Sequence, residues 1–128
     1  MKKEMIICIV IIIVVIILDI ITINYTKDSV GSLKVQLSDI KEDIKKEDDV
    51  NAINKKIADL RSNWEERYEK LAYYIEHNEL EKVHLYIEGL DSNVNSDEYS
   101  QAIDELDKCV YILEHIKDKY SLSLKNIF

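Results

Sequence analysis

Nineteen consecutive residues, Met5 to Ile23, hold one strongly polar side chain, Asp19. No other feature constrains the fold as tightly. As an α-helix the run is about 28 Å long, close to the roughly 30 Å thickness of a bilayer's hydrocarbon core. Its many β-branched residues suit that medium, because a helix closes its own backbone hydrogen bonds. A cleaved signal peptide would have a shorter apolar stretch and small residues at a cleavage site. Here "TINYTKDSVG" follows, with no A-x-A-like pattern, and Cys8 lies too early among bulky neighbours for a lipoprotein signal. The sequence therefore predicts an uncleaved anchor. Lys2 and Lys3 favour a cytoplasmic N-terminus, which sends the remaining chain to the other side of the cell membrane.

Asp19 admits two readings. It lies about 7 Å outward from the midpoint of the span, so its carboxylate can reach the interface, or be protonated, at a cost of up to about 3 kcal/mol. Alternatively it contacts a cationic or polar group on another membrane helix, which makes it the candidate membrane-partner residue.

The charge is −8 and belongs wholly to residues 25–128, because Lys2, Lys3, Glu4 and Asp19 cancel. A domain this acidic, with no basic stripe, is repelled by phosphate backbones, so no nucleic-acid partner is expected. Cys8 and Cys109 fall in different media and no disulfide is expected between them.

Past Asn24 the periodicity becomes helical and amphipathic. Proline is absent and glycine occurs only at 31 and 89, which removes the usual helix breakers. A first stripe is Val30, Leu33, Leu37, Ile40 and Ile44, with Asp28 or Ser29 as its cap. A second runs from Val50 through Ile53, Ile57, Leu60, Trp64, Tyr68 and Leu71 to Ile75, after Asp48 or Asp49. A third is Leu80, Val83, Ile87 and Leu90, closed by Gly89 and "DSNVNSD". The last is Ile103, Leu106, Val110, Leu113, Ile116 and Tyr120, with Cys109 beside it and Ser96 or Asp97 as cap. No stripe can be buried alone. The predicted architecture is all-α: a transmembrane helix within residues 1–24, then an antiparallel bundle of about four amphipathic helices over residues 25–128, with the second and fourth helices as its spine.

The three histidines suggest a metal or acid–base site, and the helical wheel disperses them. His77 lies about 140° from its stripe, His84 about 80°, and His115 nearly opposite its own. Glu81 and His84 have the E-x-x-H spacing of di-metal bundles, but that architecture needs two such motifs and two further inward carboxylates. "IEHNELE" reads as a helix break, with Asn78 capping a new helix, Glu81 at N3 and His77 in the last turn of the preceding helix. G-x-S-x-G and Walker-type glycine loops are absent. No catalytic residue, cofactor or metal ligand is assigned, and the chain is not expected to be an enzyme.

Trp64 with "YIEHNELEKV", then "ELDKCVYILEHI" and the terminal "SLSLKNIF", resemble the domain of unknown function 4363 family, as does the "MKK" start with its isoleucine-rich anchor. The resemblance implies a membrane-tethered helical domain of low-GC Gram-positive bacteria and no known activity. The tail residues Leu122, Leu124, Ile127 and Phe128 are apolar for a chain end. They either close over the bundle or form a docking peptide for another protein. The functional expectation is a non-catalytic membrane-anchored interaction or accessory protein, with the lipid bilayer and a polytopic membrane protein as partners. The alternative is an extracytoplasmic bundle that senses a cation or ligand through its acidic surface and histidines.

Overall fold

The computed structural model describes residues 2–127, with side chains through Ser121. It contains four helices: α1 (Lys2–Lys45), α2 (Val50–Leu71), α3 (His77–Asn95) and α4 (Tyr99–Ile127). Among the described residues there is no strand. The all-α architecture of a long N-terminal helix and a bundle is thus present. The first bundle helix is the continuation of the apolar helix rather than a separate element.

That continuity corrects the expected break before Val30. Neither Asp28 nor Ser29 caps a helix, because both side chains accept from Arg67 of α2. Thr22 and Thr26, which could turn the chain, instead bond their hydroxyls back to the carbonyls of Asp19 and Thr22 at 3.0 and 2.7 Å. No proline or positive-φ residue interrupts α1. A change along a helix from apolar on all faces to amphipathic alters which face is polar and need not interrupt the helix.

The bundle is a four-cornered ring in which α1 packs on α2 and α4, and α3 on the same two helices. Three short connections make neighbours antiparallel. The helices α2 and α4 therefore occupy opposite corners, and the expected spine of these two does not form. Their stripes meet the core from opposite sides. A single apolar cluster runs from Val30 to Ile116 and includes Leu37, Ile40, Ile53, Leu60, Leu80, Leu90 and Leu106. Trp64 is buried within it, as expected.

Surface pairs report the register. Lys34 bonds Glu114, and seven residues further along α1, Lys41 bonds Asp107 at 2.9 Å. Continued downward, that register sets α4 residue 120 level with residue 28 and residue 127 level with residue 21. On the other flank Lys56 is held by Asp39 and Asp43, which keep its ammonium protonated beyond its ordinary range. Asn63 reaches Gln36 at 2.7 Å, and Arg61 ties α2 to Glu88 and Asp91 of α3, both at 2.8 Å.

Two helix ends share one closure. The amides of Glu47 and Asp48 bond the carbonyls of Ile44 and Asp43, and those of Asp97 and Glu98 bond Val94 and Asn93. This is the Schellman pattern, with Glu47 (φ 54°) and Asp97 (φ 57°) in the left-handed position. Consequently α3 runs past Gly89 to Asn95, longer than its stripe suggested, and α4 starts at Tyr99 rather than after a Ser96 or Asp97 cap. The buried face of α4 is also turned by part of a residue. Ala102, Leu106, Cys109, Ile112, Leu113 and Ile116 are buried, while Ile103, Val110 and Tyr120 lie on its flanks. The small side chains of Ala102 and Cys109 thus lie on the buried face of α4, which packs on α3 and α1. An added Cβ on Gly89 would stand 2.6 Å from Glu105 Oε2.

Candidate functional site

The expected break at "IEHNELE" lies earlier in the chain, with α2 ending before His77 and α3 starting before Asn78. Helix α2 ends at Leu71, and Ala72–Glu76 form a tight turn in which Tyr73 and Tyr74 amides bond the carbonyls of Lys70 and Leu71 at 3.2 Å. Ile75 is tucked into the core within this turn. The residue before α3 is Glu76, with no side-chain cap, so the Asn78–Glu81 capping box does not form and His77 opens α3 instead of closing α2. A tyrosine on another helix does the work of the cap, since the Glu76 amide donates to Tyr120 Oη at 3.0 Å.

Side chains of three helices converge at this end of the bundle. Tyr74 Oη lies 2.6 Å from Thr26 Oγ1 and donates to the Thr22 carbonyl at 3.1 Å, which fastens the α2–α3 turn to α1. Burial holds the Tyr74 phenol above its ordinary range, partly opposed by the Thr26 bond. The Tyr74 and Tyr120 rings meet edge to face with centroids 6.3 Å apart. Arg67 and Lys70 stand 6.0 and 5.5 Å from the centre of the Tyr25 ring. Tyr73 points outward, 88% exposed. Of this tyrosine group only Tyr120 was named from sequence, as a member of the fourth stripe. The group's signal is the pair "YY" and Tyr25, which falls just past the apolar run, and it becomes readable only when the turn is known to fold back to that level.

Glu79 sits beside this group and is 7% exposed. Its Oε1 meets His115 Nε2 at 3.2 Å and Lys119 Nζ at 3.3 Å. The Glu79 bond holds the Lys119 ammonium protonated above its ordinary range. His115 was placed on the outer side of α4 by sequence and is half exposed there, yet it reaches across to α3. His77 faces solvent with Glu81 3.8 Å away, and His84 lines a shallow surface groove with Trp64, Tyr68 and Glu81. The three rings do not converge. Among the described residues no group of three or more His, Cys, Asp or Glu is placed to hold a metal ion. Cys109 is buried and its thiol is pushed up to about 12 by desolvation, so it is a core hydrophobe with little thiolate character.

Asp19 stands four residues before Ile23, the first buried residue of α1. Ile23, Thr26, Val30, Leu33 and Leu37 follow at steps of three and four, so Asp19 shares the face of α1 that enters the bundle. It is partly covered, and its carboxylate has no cationic partner among the described residues. The tail candidates Leu122, Leu124, Ile127 and Phe128 lie outside the described side chains, and only the helical backbone as far as residue 127 is placed.

A family model described as "Domain of unknown function (DUF4363)" matches residues 20–127. The chain belongs to this family. The DUF4363 match begins three residues before Ile23 and ends with α4, so the family unit coincides with the bundle and leaves out most of the exposed apolar half of α1. No curated protein and no solved structure matches the chain. The DUF4363 assignment therefore names a family and brings no activity.

Proposed function

We propose that this DUF4363 protein is a non-catalytic, membrane-anchored accessory protein that presents its bundle to a polytopic membrane partner. One observation carries the reading. The N-terminal half of α1 stands clear of the bundle with its apolar side chains bare, Ile6 at 58%, Ile11 at 56% and Leu18 at 54% exposed. This is one continuous apolar surface far larger than the few hundred Å² that soluble monomers display, and a bilayer would cover it. Lys2 and Lys3 at the tip favour a cytoplasmic N-terminus and hence a bundle on the outer face. Charge of −8 supports a protein partner over nucleic acid.

Asp19 and the C-terminal tail are the assigned partner contacts. An unpaired carboxylate near the outer end of a span is costly alone, and a cation or polar group on a neighbouring membrane helix would relieve it. Photocrosslinkers placed next to Asp19 in cells test this. One polytopic protein should recur in the crosslinks, and Asp19→Leu should deplete it. Recovery of the chain in the soluble fraction, starting after Asn24, refutes the anchor. Crosslinks to lipid alone refute the partner.

A further inference from the structure

We propose that the bundle stands directly on the lipid surface, with the α2–α3 turn seated in the phospholipid headgroup layer and Tyr73 as its foremost contact. The inference rests on α1 being membrane-embedded, as proposed above, and adds where the rest of the chain lies. The geometry starts from α1. Its apolar side chains are exposed through Ile21, and Ile23 is the first to be buried by the bundle. Tyr74 is bonded to the Thr22 carbonyl and the Thr26 hydroxyl, so the turn cannot sit higher than these residues. From Ile21 to Thr26 the helix rises about 8 Å. The polar layer on each side of the hydrocarbon is itself about 5–8 Å deep. A span that places Met5–Ile21 in hydrocarbon therefore places the turn in the headgroups.

The chemistry of the turn fits that layer. Tyr73 is 88% exposed and its side chain makes no hydrogen bond to another described residue, so the bundle itself does not require it. Tyrosine combines an apolar ring with a polar hydroxyl, the combination enriched at membrane–water boundaries. Tyr25, with Lys70 beside its ring, occupies the same level on α1. Helix α4 continues to residue 127, and the Lys34–Glu114 and Lys41–Asp107 register, extended along it, carries its end toward the same layer. Charges near the turn have both signs, Lys70 and Lys119 against Glu69, Glu76 and Glu79, so zwitterionic lipid suffices.

The test uses the full chain reconstituted in phosphatidylcholine vesicles with acyl chains brominated near the headgroup. The wild type carries a single tryptophan, Trp64. Its neighbour Asn63 is bonded to Ser32 and Gln36, which places Trp64 about 16 Å above Thr22 along α1, out of reach of the bromines. Tyr73→Trp adds a second reporter at an exposed position that should not disturb folding. Flotation with the vesicles, loss of the added Trp emission in brominated lipid and unchanged wild-type emission are expected. Flotation with equal emission in brominated and plain lipid overturns the seating and leaves the anchor standing. A chain that fails to float overturns both.

Discussion

The two glycines lie inside helices in opposite surroundings, and their replacement by alanine tests the least anticipated element, the unbroken α1. Gly31 is exposed in mid-helix, and an added Cβ would meet nothing within 4 Å. The methyl group then brings only the helix-propensity gain, about 1 kcal/mol. Gly89 brings the same gain, but its Cβ would stand 2.6 Å from Glu105 Oε2 and 3.1 Å from Cγ. Glu105 must swing away, which costs its Lys108 pair at 3.2 Å, worth about 0–1 kcal/mol at the surface, and a rotamer adjustment of about 0.5–1.5 kcal/mol. Gly31→Ala should stabilise by about 1 kcal/mol, and Gly89→Ala should leave stability near that of the wild type. Removing the obstacle with Glu105→Ala should restore the full gain at 89, a coupling of about 1 kcal/mol in the double-mutant cycle. Urea unfolding of the full chain in detergent micelles, followed by far-UV circular dichroism, reads these differences as midpoint shifts at constant slope. A loss of stability in Gly31→Ala would mean that the chain turns there and that α1 is two helices. Equal gains at both positions would mean that Glu105 does not lie against Gly89.

Two further outcomes follow from the helix ends and the core thiol. Glu47→Gly and Asp97→Gly should each stabilise by about 0.5–1 kcal/mol, because both positions need a left-handed backbone that glycine adopts freely, and unchanged urea midpoints would remove the Schellman assignment. Cys109 stays neutral in the fold up to about 12 but ionises near 9 when exposed, so above 9 the unfolded chain loses its proton first and stability falls as pH rises toward 12. Cys109→Ala should shallow that alkaline decline relative to wild type in the same urea titrations, and parallel pH curves would place the thiol outside the core.

Helix class, the apolar run and most core positions were legible because they are periodic. Leu33, Leu37, Ile40, Ile53, Ile57 and Leu60 repeat at three and four residues, and all are buried. Boundaries were less legible because tertiary contacts set them. Arg67 takes the side chains that would have capped a helix at Asp28 or Ser29. Tyr74 draws the chain into a turn at 72–76 by reaching Thr26, a residue 48 positions away. The inward face of α4 was misread because its burial follows small residues, Ala102 and Cys109, where bulk at Ile103 and Val110 suggested otherwise. At the candidate site, Asp19 was visible as the one carboxylate in an apolar run. The meeting of the tyrosines was not, since it depends on which turn folds back beside α1.

An α1 with no joint has a mechanical consequence. The 44 residues from Lys2 to Lys45 form one shaft, about 66 Å long. A swivel or tilt imposed on its lower portion arrives at the upper portion without being absorbed by a linker. With the turn at 72–76 strapped to the same shaft through Tyr74, α2 and α3 must swing along with it, as a flag turns with its pole.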